Sequence, residues 1–160
     1  MRRDLSLLFD FFVTGQRIRR VLSDAMAPSG MKPDEYAVYS LLFEKAPMTA
    51  TEMADFLGMP LTTVLDYLKA MSAAGHLRRI PHPDDGRAVQ LRLSARGVAA
   101  HQRAHDRFDV VYQELVRSLP IPVDRLRDAL AALDRAVQEV SVEARRAPLA
   151  RYDGGRRRGE

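Results

Sequence analysis

The 160-residue chain contains no cysteine and no long apolar run. Without cysteine it has no disulfide bonds, no thiolate zinc site and no cysteine-based redox sensing, which is typical of a reducing compartment. No run approaches the roughly 18 apolar residues that a membrane-spanning helix needs. The first apolar run begins at Leu5, is interrupted by Asp10 and ends at the basic segment 16–20, which favours an amphipathic helix over a signal peptide. We therefore expect a cytoplasmic protein that does not enter a membrane.

Common catalytic motifs are missing as well. The sequence has no G-x-S-x-G elbow, no P-loop, no dinucleotide-binding glycine pattern and no H-E-x-x-H. Asp84 and Asp85 fall in a predicted turn, where solvent leaves carboxylates at ordinary reactivity. His101 and His105 are spaced to touch one metal ion from a helix, but no third ligand is identifiable and such pairs mostly pack or hydrogen-bond. We expect no enzyme activity, no cofactor and no metal site.

The positive charge is modest but unevenly distributed. The chain is 46% hydrophobic and 29% charged, a composition typical of globular proteins. Its net charge of +4 and its pI near 9.8 favour a polyanionic partner. Residues 147–160 contain four arginines, three glycines and one proline, and we expect this tail to be disordered. The other basic cluster surrounds one predicted ribbon and comprises Arg78, Arg79, Arg87, Arg92 and Arg96.

Apolar spacing, capping residues and chain breakers predict a mainly α-helical protein without internal repeats. Thr49 and Glu52 form a capping box at the start of one short helix. This helix and the next are separated by the turn LGMP, so together they are a candidate helix-turn-helix. The predicted helices cover 5–25, 33–45, 49–58, 60–75, 95–118 and the segment from 123 onward.

A two-stranded ribbon follows the candidate helix-turn-helix, in the stretch PHPDDGRAVQLRLS. Residues 76–81 and 87–93 are the predicted strands, and Gly86 permits a tight reversal between them. A lone hairpin is marginally stable in water, so this one is expected to serve a purpose. A guanidinium at its tip, that of Arg87, suits the narrow minor groove of DNA. The alternative is a solvated surface pair between Arg87 and Asp85, which would contribute almost nothing to stability.

The order helix, turn, helix, ribbon is that of a winged helix-turn-helix, and the chain resembles the MarR-type transcriptional regulators from residue 5 to about 145. The resemblance is carried by TATEMADFLGMPLTTVLDYLKAMSAAGHLRRI and DGRAVQLRLSARG. Asp85 and Arg87 take the positions of the family's Asp-x-Arg wing signature, and Ser94 stands where threonine is usual. The resemblance implies a winged helix-turn-helix over 33–94 with a two-stranded β-wing. It also implies dimerisation helices over 5–25 and 95–146.

The resemblance further implies a homodimer that binds a pseudo-palindromic site in double-stranded DNA and acts as a repressor. A helix in the major groove reads base edges, and a two-fold dimer presents two such helices to half-sites one helical turn apart. Asp66 departs from the basic residue common in the family, and its productive contact is with a cytosine amine. The predicted DNA-binding residues are Thr62, Thr63, Asp66, Tyr67 and Lys69 for the major groove, Arg87 for the minor groove with Asp85 holding it in place, and Arg78 or Arg79 for the phosphates.

The resemblance also implies release of DNA by a small aromatic effector. An apolar pocket with a few polar groups suits such a ligand, and Arg17 or Arg19 could pair with its carboxylate; the alternative is plain core packing. The predicted ligand-binding residues are Phe9, Phe12, Tyr36, Tyr39, Phe43, Phe108 and Tyr112. A winged domain can instead serve as a protein-interaction module. Salt separates the two functions, because DNA binding weakens steeply as salt rises through counterion release.

Overall fold

The computed structural model describes residues 6–83 and 88–146, with side chains described as far as residue 140. The predicted wing tip at 84–87 and the tail at 147–160 lie outside the described residues. The mainly α-helical prediction is confirmed. By its internal contacts the chain divides into two units, Met1–Leu115 and Val116–Glu160, which are described separately. The elements are α1 (Leu7–Met26), a 3-10 turn (Ala27–Ser29), α2 (Pro33–Lys45), α3 (Ala50–Leu57), α4 (Leu61–Ala73), β1 (Leu77–Pro81), β2 (Val89–Leu93), α5 (Ala95–Ser118) and α6 (Val123–Arg146).

Helix starts follow the capping chemistry of the sequence. Helix α2 begins with Pro33 in its first turn, followed by two acidic residues that favour the positive end of the helix. Helix α3 begins with the predicted capping box. The Thr49 hydroxyl accepts from the Glu52 N–H at 3.2 Å, and the Glu52 carboxylate accepts from the Thr49 N–H at 2.7 Å. Two backbone donors at the helix start are thereby satisfied.

The ribbon is not a lone hairpin, because it has a third backbone partner. Strands β1 and β2 pair antiparallel with Leu77 opposite Leu93 and Pro81 opposite Val89. On the other edge of β2, Met48 forms an isolated bridge to Leu91, with N–H to carbonyl bonds of 2.7 and 3.1 Å. The segment before α3 therefore anchors the wing, by which we mean β1, β2 and the turn between them.

The core of the first unit lies between α2, α3, α4, the wing and the first half of α5. Several apolar side chains of these helices are exposed, because each helix buries a narrower stripe than its apolar residues cover. Phe43 is 45% exposed, Leu61 41% and Leu65 47%. The most deeply buried side chains are Tyr39, Met26, Leu42, Met53, Met71, Val38 and Val64.

Apolar side chains remain uncovered on α1 and α6. On α1 only Leu22 and Met26 belong to or touch the core, whereas most of its other apolar residues are exposed. In the second unit, α6 exposes Leu130, Val137 and Val140. Across the described ranges, no helix is both long enough and apolar enough to cross a membrane.

Candidate nucleic-acid interface

Helix α4 has one buried face and one open face. Val64, Leu68 and Met71 point into the core, which leaves the residues between them on the outside. Thr62, Asp66 and Lys69 are exposed and Thr63 is half-buried. Three hydrogen-bonding side chains thus lie along the open face within about two helical turns, as base contacts in a major groove require.

Tyr67 differs from the expected exposed position. It is half-buried and packs against the core cluster, because it lies one turn from Val64 at the edge of the buried stripe. Burial raises the pKa of its hydroxyl, and the charges of Asp34 and Glu35 raise it further. The hydroxyl therefore stays protonated, and it lies near the acidic residues Asp34 and Glu35 at the start of α2.

The guanidinium of Arg19 is already engaged by a carboxylate of the chain. Its Nη1 lies 2.7 and 2.6 Å from the two carboxylate oxygens of Asp34. Both side chains are exposed, so the pair contributes little to stability. The predicted pairing of Arg19 with an effector carboxylate would have to displace Asp34, whereas Arg17 has no such partner among the described residues.

The wing separates the two adjacent arginines Arg78 and Arg79. Successive residues of a strand point to opposite faces, and directly opposed residues share a face. Arg79 is opposite Leu91, on the α4 side, whereas Arg78 is opposite Arg92, on the outer side. All three arginines are exposed.

The α4 side of the wing forms a groove with the recognition helix. Its volume is about 520 Å³, and its apolar floor carries two cations, Lys69 from α4 and Arg79 from β1. Two cations on facing walls of one groove suit a phosphate backbone. On the outer side, Arg78 and Arg92 have no ion-pair partner within the described ranges, and opposed like charges weaken a strand pair. Asp85 and Arg87, predicted for the minor groove, lie outside the described residues.

Part of the predicted ligand-binding set does cluster, around two histidines of α5. Tyr36 stacks on His101 with ring centroids 5.4 Å apart, and Phe43 stacks on the same imidazole at 4.5 Å. Phe108 lies 5.0 Å from Tyr36, and its ring is 6.2 Å from that of Tyr112. Four of the seven predicted residues therefore belong to one series of ring contacts, in which Tyr36 and Phe43 touch His101 directly.

The other three predicted ligand residues lie elsewhere. Tyr39 is bonded to His76 and not to this cluster. Phe9 and Phe12 are exposed on α1, and no ring contact of theirs is found within the described ranges. The predicted set therefore does not form one pocket in a single copy of the chain.

The centre of the cluster is polar, which the sequence did not reveal. His101 is 3% exposed, and its Nε2 lies 3.1 Å from Oγ of Ser40. Its Nδ1 is buried without a partner in the described part of the chain. Burial lowers the pKa of His101, and the neighbouring His105 lowers it further. The spacing of the two histidines indicated a shared helix face, but their partners on α2 are too distant in sequence to be foreseen.

Both histidines are hydrogen-bonded to hydroxyl groups of α2. Nδ1 of His105 lies 2.8 Å from the Tyr36 hydroxyl, and His101 contacts Ser40. Within the described residues, no group of three or more histidines and carboxylates is placed to hold a metal ion. The arrangement is that of a hydrogen-bonded helix contact.

The match to known proteins is spread over the winged region and beyond. Residues 32–89 match the model of the MarR family. The multiple antibiotic resistance protein MarR of Salmonella typhimurium is 24% identical over 109 residues, which cover 68% of this chain and 76% of that protein.

Solved structures agree with the fold. The transcriptional regulator MosR of M. tuberculosis in complex with DNA superposes with a TM-score of 0.72 at 23% identity, over 85% of this chain and 98% of that one. The transcriptional repressor CouR bound to a 23-mer DNA duplex gives 0.68 at 23% identity, over 83% and 92%. Members of the matched family regulate transcription and are not enzymes. Over residues 32–89 the chain therefore matches the MarR family, and its winged fold and its curated relative agree with that match.

Proposed function

We propose that the protein is a homodimeric repressor that binds a pseudo-palindromic duplex site. The observation that carries this proposal is the groove between α4 and the wing, where Lys69 and Arg79 lie beside the open face of the recognition helix. In this arrangement Thr62, Thr63 and Asp66 meet base edges in the major groove. Lys69 and Arg79 meet the phosphates that border it.

The wing extends the contact to the neighbouring minor groove. Arg87, proposed from the sequence, enters that groove, and Asp85 supports it. Tyr67 is a weaker candidate for base contact, because its half-buried ring is shared with the core. Arg78 faces the outer side of the wing, so its contribution to phosphate binding is expected to be smaller than that of Arg79.

Dimerisation is supported by the apolar residues that a single copy leaves uncovered. Leu8 is 67% exposed, Phe12 61% and Val21 52% on α1, and Val140 of α6 is 64% exposed. Monomeric proteins rarely leave so many large apolar side chains of one helix in contact with water. A second copy of the chain would cover them and present two recognition helices to the two half-sites of one operator.

Selection from random duplexes tests the proposal directly. The purified protein is equilibrated with a library of duplexes containing a random central segment, and bound fragments are sequenced. We expect an inverted-repeat motif with half-sites about one helical turn apart. Affinity for the selected duplex is then titrated against salt, and its logarithm should fall linearly with the logarithm of salt concentration. No enriched motif together with salt-insensitive partner capture would favour the protein-interaction module.

Regulation by a small aromatic ligand is the second part of the proposal. The rings of Tyr36 and Phe43, which stack on His101, and that of Phe108, which contacts Tyr36, support it. They offer apolar surface beside a buried nitrogen that has no partner among the described residues. A panel of aromatic acids and phenols, screened for release of the selected duplex, tests this part. Release by none of them, while DNA binding is intact, would leave the cluster with a packing role only.

A further inference from the structure

Helix α2 carries three hydroxyl groups, and each is bonded to a different histidine. Tyr36 bonds to His105 at 2.8 Å and Ser40 to His101 at 3.1 Å, and both bonds join α2 to α5. The third bond, 2.7 Å long, runs from Tyr39 to Nδ1 of His76. It alone reaches the helix-turn-helix, because His76 lies between the end of α4 and the start of β1.

The backbone of His76 is held by the elements on either side of it. Its N–H donates to the carbonyl of Met71 in α4 at 2.9 Å, and its carbonyl accepts from the N–H of Ser94 at 2.8 Å. The preceding Gly75 has a φ of 71°, the left-handed conformation that ends α4 and turns the chain toward β1. A Cβ on Gly97 of α5 would overlap the His76 carbonyl oxygen. The recognition helix, the wing and α5 therefore meet at this one residue.

The side chain of His76 links this corner to α2. Among the described residues, its bond to Tyr39 is the only hydrogen bond between the corner and that helix. Tyr39 is 2% exposed, and burial raises its pKa to about 12, so its hydroxyl keeps its proton. In the described part of the chain, no other acceptor is bonded to that proton. The hydroxyl therefore donates to Nδ1, and the neutral imidazole carries its own proton on Nε2.

We propose that His76 is a positioning residue for DNA recognition, and that its bond to Tyr39 fixes the direction in which α4 and the wing leave their shared corner. This inference rests on the proposed DNA binding. The bond is made at one end of α4, and the groove-reading residues lie at the other. A small rotation about the corner would therefore displace Thr62 and Asp66 relative to the wing.

Protonation of His76 works against this bond. An imidazolium carries a proton on Nδ1 and cannot accept from Tyr39, so the buried hydroxyl proton would lose its acceptor. The charged groups that act on the ring are Arg96 and Arg103 of α5 and, with opposite sign, Glu35 of α2. Residues 70–75 at the end of α4 are uncharged, and β1 adds Arg78 and Arg79 further along.

These surroundings set the direction of the pH dependence. Burial lowers the pKa of His76, and the two arginines lower it further. The folded pKa is therefore below that of the unfolded chain. The contribution of the neutral ring is complete above about pH 6.5 and declines as the pH falls through the folded pKa.

The test compares three substitutions with a matched control. His76→Leu removes the acceptor and Tyr39→Phe removes the donor. His76→Asn keeps an acceptor near the place of Nδ1 that does not titrate. The control is Ser40→Ala, which loses the neighbouring bond from α2 to His101 of α5. Affinity for the selected duplex is measured by fluorescence anisotropy at pH 7.5 and 5.5, and circular dichroism verifies that each variant is folded under the assay conditions.

At pH 7.5 we expect His76→Leu and Tyr39→Phe to weaken binding about five- to tenfold, the usual effect of one lost internal hydrogen bond. His76→Asn and Ser40→Ala should stay within about twofold of the unmodified chain. The loss of affinity between pH 7.5 and 5.5 should be smaller in His76→Asn than in the unmodified chain.

Three results would overturn the inference: unchanged binding by folded Tyr39→Phe, equal losses in His76→Asn and His76→Leu, or the same pH dependence with and without the imidazole. If Tyr39→Phe or His76→Leu does not fold, the pH dependence of His76→Asn decides alone. Absence of duplex binding by the unmodified chain is a separate outcome, because it would refute the proposed function and not the role of the corner.

Discussion

Single residues of identical type have different environments in this molecule, and their position in the elements decides the difference. Arg78 and Arg79 are neighbours in β1, yet one is opposed by Arg92 and the other lies in the groove beside α4. Tyr36 and Tyr39 are one turn apart on α2, yet they bond to histidines that are 69 and 37 residues away. Residue type alone therefore does not assign a role.

Exchange of one arginine at a time tests the separation of the two wing faces. Arg79→Ala should weaken binding to the selected duplex severalfold and reduce the slope of log affinity against log salt by about 0.9, the share of one phosphate contact. Arg78→Ala should change the slope by clearly less, because its side chain points away from the groove. Equal slopes in the two variants, measured by anisotropy over a range of salt, would contradict this assignment.

Two glycines in helices give a matched test of packing at the His76 corner. Gly97→Ala should destabilise the protein by about 1–3 kcal/mol, since the added methyl group overlaps the carbonyl oxygen of His76 and the backbone must shift. Gly15→Ala in α1 meets no atom within 4 Å. It should stabilise the protein by up to about 1 kcal/mol through helix propensity. Urea unfolding at pH 7 measures the free energy of unfolding of both variants. An unchanged value for Gly97→Ala would show that the backbone at the corner shifts at little cost.

At the scale of elements, local chemistry predicted most boundaries and long-range packing decided the remainder. Helix α2 begins and ends where Pro33 and Lys45 indicated, and the wing strands follow their alternation of apolar and polar residues. The exposure of Leu61, Leu65 and Phe43 was not predictable, because the width of a buried stripe depends on the neighbouring elements. The hydroxyl–imidazole bonds were beyond sequence reasoning for a similar reason, since each joins residues at least 37 positions apart.

The capping box at α3 is an element-scale feature with a measurable contribution. Thr49→Ala should destabilise the protein by about 1 kcal/mol, the usual effect of losing an N-cap side chain. The hydrogen bonds from Thr49 hold the pKa of Glu52 below its ordinary value. Their contribution is therefore present at neutral pH and declines as the pH falls through the pKa of Glu52 in the folded state. Thermal unfolding of both proteins at neutral and acidic pH should show a difference that narrows in acid.

At the scale of the whole molecule, exposed apolar surface indicates association. Helices α2, α3 and α4 and the wing bury a common core, whereas α1 keeps most of its apolar side chains in contact with water. Operator symmetry and dimer symmetry go together in winged regulators that bind two half-sites. In the proposed dimer, the exposed apolar residues of α1 and the groove beside α4 serve one function, since the first would determine how two copies of the second are presented.

Charges placed on α1 should separate the copies. We expect Leu8→Glu combined with Phe12→Glu to convert a dimer into a monomer in sedimentation, because both side chains lie on one face of α1 and are more than half exposed in one copy. DNA affinity should fall steeply, since the two half-sites are no longer bound together. The control is Phe56→Glu on α3, which is 60% exposed but lies outside this face, and it should sediment like the unmodified chain. If the Phe56→Glu control is monomeric, or if the α1 variant is still a dimer, the interface does not lie on this face of α1.

The contact between Gly97 and the His76 carbonyl also constrains how the wing can move. At that point the backbone of Gly97 lies so close to the His76 carbonyl that a methyl group on Gly97 would overlap it. The same carbonyl accepts a hydrogen bond from the Ser94 N–H. We therefore expect the base of the ribbon to move little relative to the start of α5. Adjustment of the wing to an irregular duplex is then expected to come from bending along its strands.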